Sequence, residues 1–377
     1  VTGTPEPAAP STTGPAAPST PEPVSYAAAG VDIEAGEAAV ERYREVTKNA
    51  TRPEVIGGLG GFAGLFKLKA GKYTEPVLAS STDGVGTKVA IAQAMDIHHT
   101  IGLDLVAMVV DDLVVCGAEP LFLQDYISVG KLVPDQVAGI VKGIADGCHL
   151  AGCALLGGET AEHPGLMQPG QYDLSAFGVG VIEAERMLRP ENVRPGDVVL
   201  ALASSGLHSN GYSLARHVLL ELARLPLTGH VEELGRTLGE ELLEPTTIYA
   251  LDCLALANET EVRTFAHITG GGLARNLGRV LPRGLVAVCD RATWEPAPIF
   301  NLIAARGRVA RPEMEKTFNM GVGMVAVLSP EDVDRAQAVL TARHVPSWVL
   351  GEVKRSRDVT GVPDDERVSL AGEHPRF

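Results

Sequence analysis

The sequence predicts an α/β protein of two domains. Its 377 residues exceed what one ordinary core holds and leave two domains large enough to bury interiors of their own. Strand-like and helix-like segments alternate along most of the chain. A Pro-containing connection, Arg189 to Gly196, interrupts that alternation, which restarts directly afterwards. The expected domains therefore span 25–190 and 191–377.

Residues 1–24 are almost wholly Pro, Ala, Ser, Thr and Gly. They cannot bury enough apolar surface to offset their ordering entropy, so a disordered tail is expected. An Ala- and Glu-rich helix is predicted over 32–48, with Asp32 as its N-cap. A glycine-dense run, Ile56 to Gly64, comes next, then a strand from Pro76 to Thr82 that stops at Asp83-Gly84. Helices are predicted over 87–95 and 100–116, the second opened by Thr100. A strand at 121–129, a helix at 134–151 and strands at 153–156 and 174–182 complete the first half. The second half shows strands at 197–203, 285–289, 322–328 and 347–353. Its helices are predicted over 210–224, 245–257, 296–306 and 330–343.

Charge narrows the function. With 32 Lys and Arg against 47 Asp and Glu the chain carries −15, a poor match for a polyanion, so nucleic acid is not an expected partner. No apolar run reaches the roughly 20 residues that span a bilayer, and no basic start precedes an apolar stretch as in a signal peptide. The five cysteines are scattered in apolar segments and read as buried free thiols of a reducing cytoplasm.

The glycine run contains Gly58-Leu59-Gly60-Gly61-Phe62-Ala63, a formal match to GxGxxG/A, with Asp83 about 20 residues on. The context does not fit a dinucleotide site, because Arg52-Pro53-Glu54 stands before the run and Gly71 and Pro76 break up the segment after it. A loop that closes over phosphate and a flexible connector are both compatible with it. Thr82-Asp83-Gly84-Val85-Gly86-Thr87-Lys88 offers an acid for a hard cation, with backbone N–H groups, Thr87 and Lys88 for phosphate oxygens. A tight Asp-Gly turn with a solvated lysine is the plain alternative.

Asp104, Asp111 and Asp112 fall in an otherwise apolar stretch, 102–115. Helical spacing puts two or three of them on one side, and no sequence neighbour offers a cationic partner, so a bound cation is the economical expectation, with acids on an exposed helix face as the plain alternative. Glu159 comes after Gly157-Gly158 just past a predicted strand end, where α/β domains bind ligands. Glu162 and His163 lie close by, but an oxygen-rich set favours Mg²⁺ over zinc. Ser204 to Tyr212 lead from a strand into a helix and gather His208, Ser209 and Asn210 at its start, suiting either an anion or a simple cap. Gly270-Gly271-Gly272 reads as a backbone nest or a turn.

Together these segments resemble the phosphoribosylformylglycinamidine cyclo-ligase family, also called aminoimidazole ribonucleotide synthetases. The resemblance runs from about Ser25 to Val368. It rests on Ser25 to Asp32, Arg52 to Phe62, Thr82 to Lys88, Gly157 to Glu162, Ser204 to Tyr212, Thr269 to Gly272 and Phe318 to Met324. Two departures stand out: the Pro-rich tail, and Asp111 where the family pattern has Asn.

The resemblance implies an ATP-dependent ring closure in purine synthesis, from formylglycinamidine ribonucleotide to aminoimidazole ribonucleotide, through a phosphorylated amide. It also implies a homodimer whose N-terminal mixed sheets join into a barrel, with ATP near the interface. On this reading Asp83, Asp112 and Glu159 serve Mg²⁺–ATP, with Asp104 a weaker candidate. Lys48 and Lys88 meet phosphates and the 57–64 loop, with Gly58, Gly60 and Gly61, closes over them. Gly84, Gly86 and Thr87 belong to the same phosphate turn. His208 steadies the transferring phosphoryl group or shuttles a proton, while Ser209 and Asn210 hold substrate. Selenophosphate synthetases share the resemblance but need a reactive cysteine in the N-terminal loop, and none precedes Cys116. Thiamine-phosphate kinase and a non-catalytic nucleotide-binding regulator are the remaining alternatives, the second disfavoured by the retained acids.

Overall fold

The computed structural model describes residue 26 and residues 29–57, 61–360 and 366–377. The expected tail, Gly58 and Gly60 lie outside the described residues. In chain order the elements begin with α1 (Ile33–Val46), β1 (Val55–Ile56), β2 (Leu65–Phe66), β3 (Pro76–Gly84), α2 (Val89–Met95) and α3 (His99–Val114). The first half ends with β4 (Glu119–Val129), α4 (Pro134–Ala151), β5 (Ala154–Glu162) and β6 (Tyr172–Glu183). The second half opens with β7 (Val198–Ala203), α5 (Tyr212–Arg216), β8 (His230–Val231), β9 (Arg236–Thr237), α6 (Leu238–Leu242) and α7 (Ala250–Glu259). It continues through β10 (Val262–His267), α8 (Gly272–Arg279), β11 (Leu285–Asp290), α9 (Pro298–Gly307) and α10 (Arg311–Thr317). Finally come β12 (Val322–Leu328), α11 (Val333–Ala342), β13 (Ser347–Arg355) and β14 (Val368–Ala371).

Two sheets organise these elements. The first runs β3-β6-β4-β5, with β4 and β5 parallel and the other pairs antiparallel. The second runs β10-β12-β7-β13-β11-β14 and is antiparallel except for β11 with β14. The mixed α/β architecture expected from the sequence is present in both halves.

The alternation of β6 explains the first sheet's asymmetry. Tyr172, Leu174 and Ala176 are buried against α3 and α4, whereas Asp173, Ser175 and Phe177 are exposed. Leu78 and Tyr126 share that open face. In the second sheet both faces are covered. One face packs Leu200, Leu202 and Met324 under α5, α7 and α9; the other packs Val199, Ala201 and Val325 under α8. Its interior strand β12 is buried throughout, as its unbroken apolar run requires.

Several expected boundaries move, each for a local reason. Asp32 does cap α1, accepting the Ala35 N–H at 3.0 Å. Thr100, expected to cap α3, lies inside it, because the helix starts at His99 with no side-chain cap. Helix α7 starts at Ala250 rather than 245, since Thr246 and Tyr249 give their N–H groups to acids of α3. Strand β5 runs on to Glu162, pairing in parallel with β4, so Glu159 lies within a strand and not beyond its end. The run predicted as one helix over 210–224 opens into a wider π-type turn at His217–Leu222. Strands β10 and β14 and helices α8 and α10 were not anticipated.

Candidate active site

The acids of the apolar segment 102–115 part company in the structure. Asp104 and Asp111 are seven residues apart on α3, so both face the second domain, and both are fully buried. Asp104 Oδ1 accepts from Lys88 Nζ at 2.9 Å, from the Thr246 N–H at 2.8 Å and from the Thr246 hydroxyl at 2.7 Å. Asp111 Oδ1 accepts the Tyr249 N–H at 2.8 Å, while its second oxygen is buried without a partner. Burial pushes the Asp111 carboxyl up to about 8. The expected cation is therefore replaced at Asp104 by Lys88, sixteen residues earlier in the chain.

Lys88 differs accordingly from the expectation that it meets phosphate. It is fully buried, and besides Asp104 it donates to the carbonyls of His208 at 3.2 Å and Glu244 at 2.6 Å. An ammonium has three donors, and three acceptors occupy them. Lys48 also stands apart: it is exposed and paired with Glu45 at 2.6 Å, while Arg44, one turn before it, lines a cavity beside α1.

Asp112 faces the cleft between the two halves, half-exposed. Its Oδ1 lies 2.9 Å from Nδ1 of His267, at the end of β10 in the second domain. Burial opposes a charged imidazole there, but the Asp112 hydrogen bond and the charges of Asp111 and Asp83 outweigh it and raise the His267 pKa. Asp83, at the end of β3, completes the group: burial raises its carboxyl and the neighbouring Asp112 charge adds to that. The sequence reading missed His267 because it missed β10. A usable signal was the β-forming run Val262, Thr264, Phe265 before the glycine triplet.

That triplet borders the same cleft. Gly271 precedes α8 and Gly272 has φ +69°, and an added Cβ on Gly272 would run into the Glu315 carbonyl. Asn210 lies against Gly270 and reaches Met108 Sδ at 3.8 Å. The turn at Gly84, Gly86 and Thr87 meets the same loop, with Thr87 Oγ1 3.3 Å from Ser213 Oγ.

His208 is buried beneath this surface. Its Nε2 accepts the Ser205 N–H at 3.1 Å, which leaves the proton on Nδ1, a buried position with no partner. Burial, with the charges of His267 and Lys88, holds it well below the ordinary histidine value, so it is neutral at pH 7. Its backbone is left-handed, φ 61°, a conformation that costs about 1–3 kcal/mol away from glycine. Ser209 turns its hydroxyl inward to Thr246 Oγ1 at 2.9 Å.

Glu159 does not join Asp83 and Asp112. Across the first sheet Asp83, Ala176, Asp125 and Gly158 form one row on the inner face. Glu159 is the next residue and points to the opposite face. Three strand spacings separate Asp83 from it, about 14 Å, so a single ion does not bridge all three acids within one chain. No group of three or more ligating side chains occurs among the described residues. Asp83 and Asp112 still suit Mg²⁺, which needs only one or two carboxylates plus phosphate oxygens.

Glu159 lines instead the cavity that Arg44 reaches, about 660 Å³ between α1, the 61–64 loop and β5. Tyr43, Gly61 to Gly64 and Asp125 line it too. Burial pushes Asp125 up to about 7, and its carboxylate lies over Gly158, where a Cβ would collide with it. Asp125 stands beside Gln124 in the middle of a mostly apolar strand, a signal the sequence reading passed over. Glu162, considered for metal, accepts the N–H groups of Asp32 at 2.6 Å and Leu132 at 2.7 Å and is a structural brace.

Comparison with known proteins bears on this arrangement. The family described as "AIR synthase related protein, N-terminal domain" matches residues 63–182, and its C-terminal counterpart matches 194–363. The phosphoribosylformylglycinamidine cyclo-ligase of Myxococcus xanthus is 53% identical over 341 residues, 90% of this chain and 99% of that protein. The enzyme of the same name from Brevibacillus brevis is 49% identical over 330 residues, 88% of this chain and 95% of its own.

The chain belongs to the phosphoribosylformylglycinamidine cyclo-ligase family.

It is an enzyme of that class in purine biosynthesis. Among solved structures, a thiamine-monophosphate kinase from Stenotrophomonas maltophilia shares its fold, with TM-score 0.65, 19% identity, and 89% of this chain and 96% of that one covered. So does a hydrogenase maturation protein HypE solved with ATP, with TM-score 0.61, 18% identity and coverage of 87% and 89%. Among the described residues no helix is long and apolar enough to cross a membrane.

Proposed function

We propose that this chain closes the imidazole ring of aminoimidazole ribonucleotide from formylglycinamidine ribonucleotide, using ATP. The amide carbonyl is a poor electrophile and its oxygen a poor leaving group. Transfer of the γ-phosphoryl group to that oxygen releases ADP and cures both faults. The amidine nitrogen then attacks the carbon, inorganic phosphate leaves with the former amide oxygen, and a proton is lost from nitrogen. The protein's part is positioning and charge neutralisation.

The observation that carries this reading is the acid pair Asp83–Asp112, set in the interdomain cleft of a chain of this family. These two carboxylates hold the Mg²⁺ that neutralises phosphate charge. The nucleotide takes the cavity under the Gly61–Gly64 loop, with Arg44 as its cation and Glu159 at its rim. The cleft by Asn210 and Gly270–Gly272 takes the substrate ribonucleotide. His208 is neutral and keyed into the loop beside that cleft; in a proton-shuttling or phosphate-orienting role its imidazole leaves the Ser205 N–H and swings toward the cleft.

The open face of the first sheet supports a homodimer. Leu78, Phe177 and Tyr126 lie exposed on a surface whose other side is a packed core. Pairing two such sheets buries these side chains and closes a barrel.

The test is ADP release from Mg²⁺–ATP by the purified protein, with and without formylglycinamidine ribonucleotide, following the nucleotide product by mass. ADP formed only with that substrate, matched by a product lighter by one water, is expected. ADP without a dehydrated product would overturn the reading at its substrate half.

A further inference from the structure

The buried network around Asp104 is built from charged groups and ends on the loop that carries His208. Three features meet there. The His208 backbone is in the left-handed region, which a non-glycine residue holds only when its surroundings enforce it. Its carbonyl accepts from Lys88 Nζ, whose charge is balanced by Asp104. The next residue, Ser209, donates its hydroxyl to Thr246 Oγ1, which in turn donates to Asp104 Oδ1. Two routes from one carboxylate thus hold consecutive residues of the loop. Asp104 comes from the first domain, and Thr246 and the loop come from the second.

We propose that Asp104, Lys88 and Thr246 form an interdomain clasp that positions the His208–Asn210 loop over the cleft, and that these three are positioning residues rather than phosphate ligands. The clasp takes hold of the loop by one main-chain carbonyl and one hydroxyl, so it sets where the loop lies without contacting a substrate. Its consequence for turnover rests on the ring-closing function proposed above; its consequence for loop order does not.

Thr246→Val removes the hydroxyl link and keeps the volume, while Thr246→Ser keeps the link. Two readouts separate positioning from bulk stability: hydrogen exchange of the peptide spanning 204–213, and the split between kcat and KM for ATP. Thr246→Val is expected to speed exchange in that peptide about tenfold and to lower kcat about tenfold or more with KM for ATP within about twofold. Thr246→Ser should restore both. Because Lys88→Met alone leaves a buried charge without its partner, the double variant Lys88→Met/Asp104→Asn removes both charges together and should show the same loosened loop. Wild-type exchange in that peptide, in folded Thr246→Val or in the double variant, overturns the clasp. If the wild-type protein makes no aminoimidazole ribonucleotide, the proposed function falls, and the exchange measurement still decides the clasp.

Discussion

His267 and Asp112 meet across the domain boundary at 2.9 Å, the imidazole buried and the carboxylate half-open to the cleft. The second domain thereby places an imidazole of raised pKa against an acid pair, Asp83 and Asp112, that the first domain alone would leave in mutual repulsion. Replacing His267 by Ala should cost about 1–2 kcal/mol, discounted for the open side of Asp112. Added Mg²⁺ should then raise the melting temperature of His267→Ala more than that of the wild type. Thermal denaturation with and without Mg²⁺ checks this, and equal shifts would separate His267 from the acid pair.

Removing one charge from that pair tests the cation site itself. Asp112→Asn should lower turnover about a hundredfold, the scale of losing a charge that stabilises phosphoryl transfer, and should weaken the Mg²⁺ dependence of ATP binding. Titration calorimetry at several Mg²⁺ concentrations tracks the second effect.

Asp125 makes a pH prediction. Its carboxyl is pushed up to about 7 from an ordinary 3.8. The folded protein therefore holds a proton that the unfolded chain has released, and the resulting stabilisation is complete below about pH 4 and lost as pH rises through 7. Asp125→Asn removes this dependence. Relative to wild type it should gain stability between pH 4 and 7, on the order of 2 kcal/mol with solvent screening allowed for, and the difference should level off above pH 8. Urea denaturation at pH 5 and pH 8 gives the comparison.

Phe177→Asp places a charge in the middle of the open sheet face. A sheet that pairs with a second copy should then fall apart into monomers, with the fold of each retained. Sedimentation velocity reports the mass, and a dimer of undiminished stability in the variant would place the contact elsewhere.

Much of the fold was legible from hydrophobic patterning. The apolar run 322–328 is found where the pattern put it, and the strand predicted over 76–82 runs two residues further, to Gly84. What patterning does not carry is partnership at a distance. Asp104 lacks any cation among its sequence neighbours, so a metal was the economical expectation, yet its partner Lys88 arrives from the turn ahead of α2. Likewise Glu159 and Asp83 belong to similar acid-after-strand motifs, but β5 continues past Gly158 and turns Glu159 to the other face. A single step of register decides this, and only strand pairing fixes that step. Asp125 was hidden for a third reason, since no motif stands next to it in β4, and His267 was hidden because the strand that carries it was not predicted.

The grip of α3 on the second domain falls largely on main-chain atoms: the N–H groups of Thr246 and Tyr249, and through Lys88 the carbonyls of His208 and Glu244. Every amino acid but proline offers the same N–H, and every one the same carbonyl. An exchange of the Thr247 or Glu244 side chain that keeps its local packing therefore leaves these interdomain bonds in place. The opposite holds for α3, where an exchange at Asp104 is felt at the Thr246 peptide and, through Lys88, at the carbonyls of His208 and Glu244, and one at Asp111 at the Tyr249 peptide. Mutational tolerance across this boundary should be lopsided, permissive on the side that is held and strict on the side that holds.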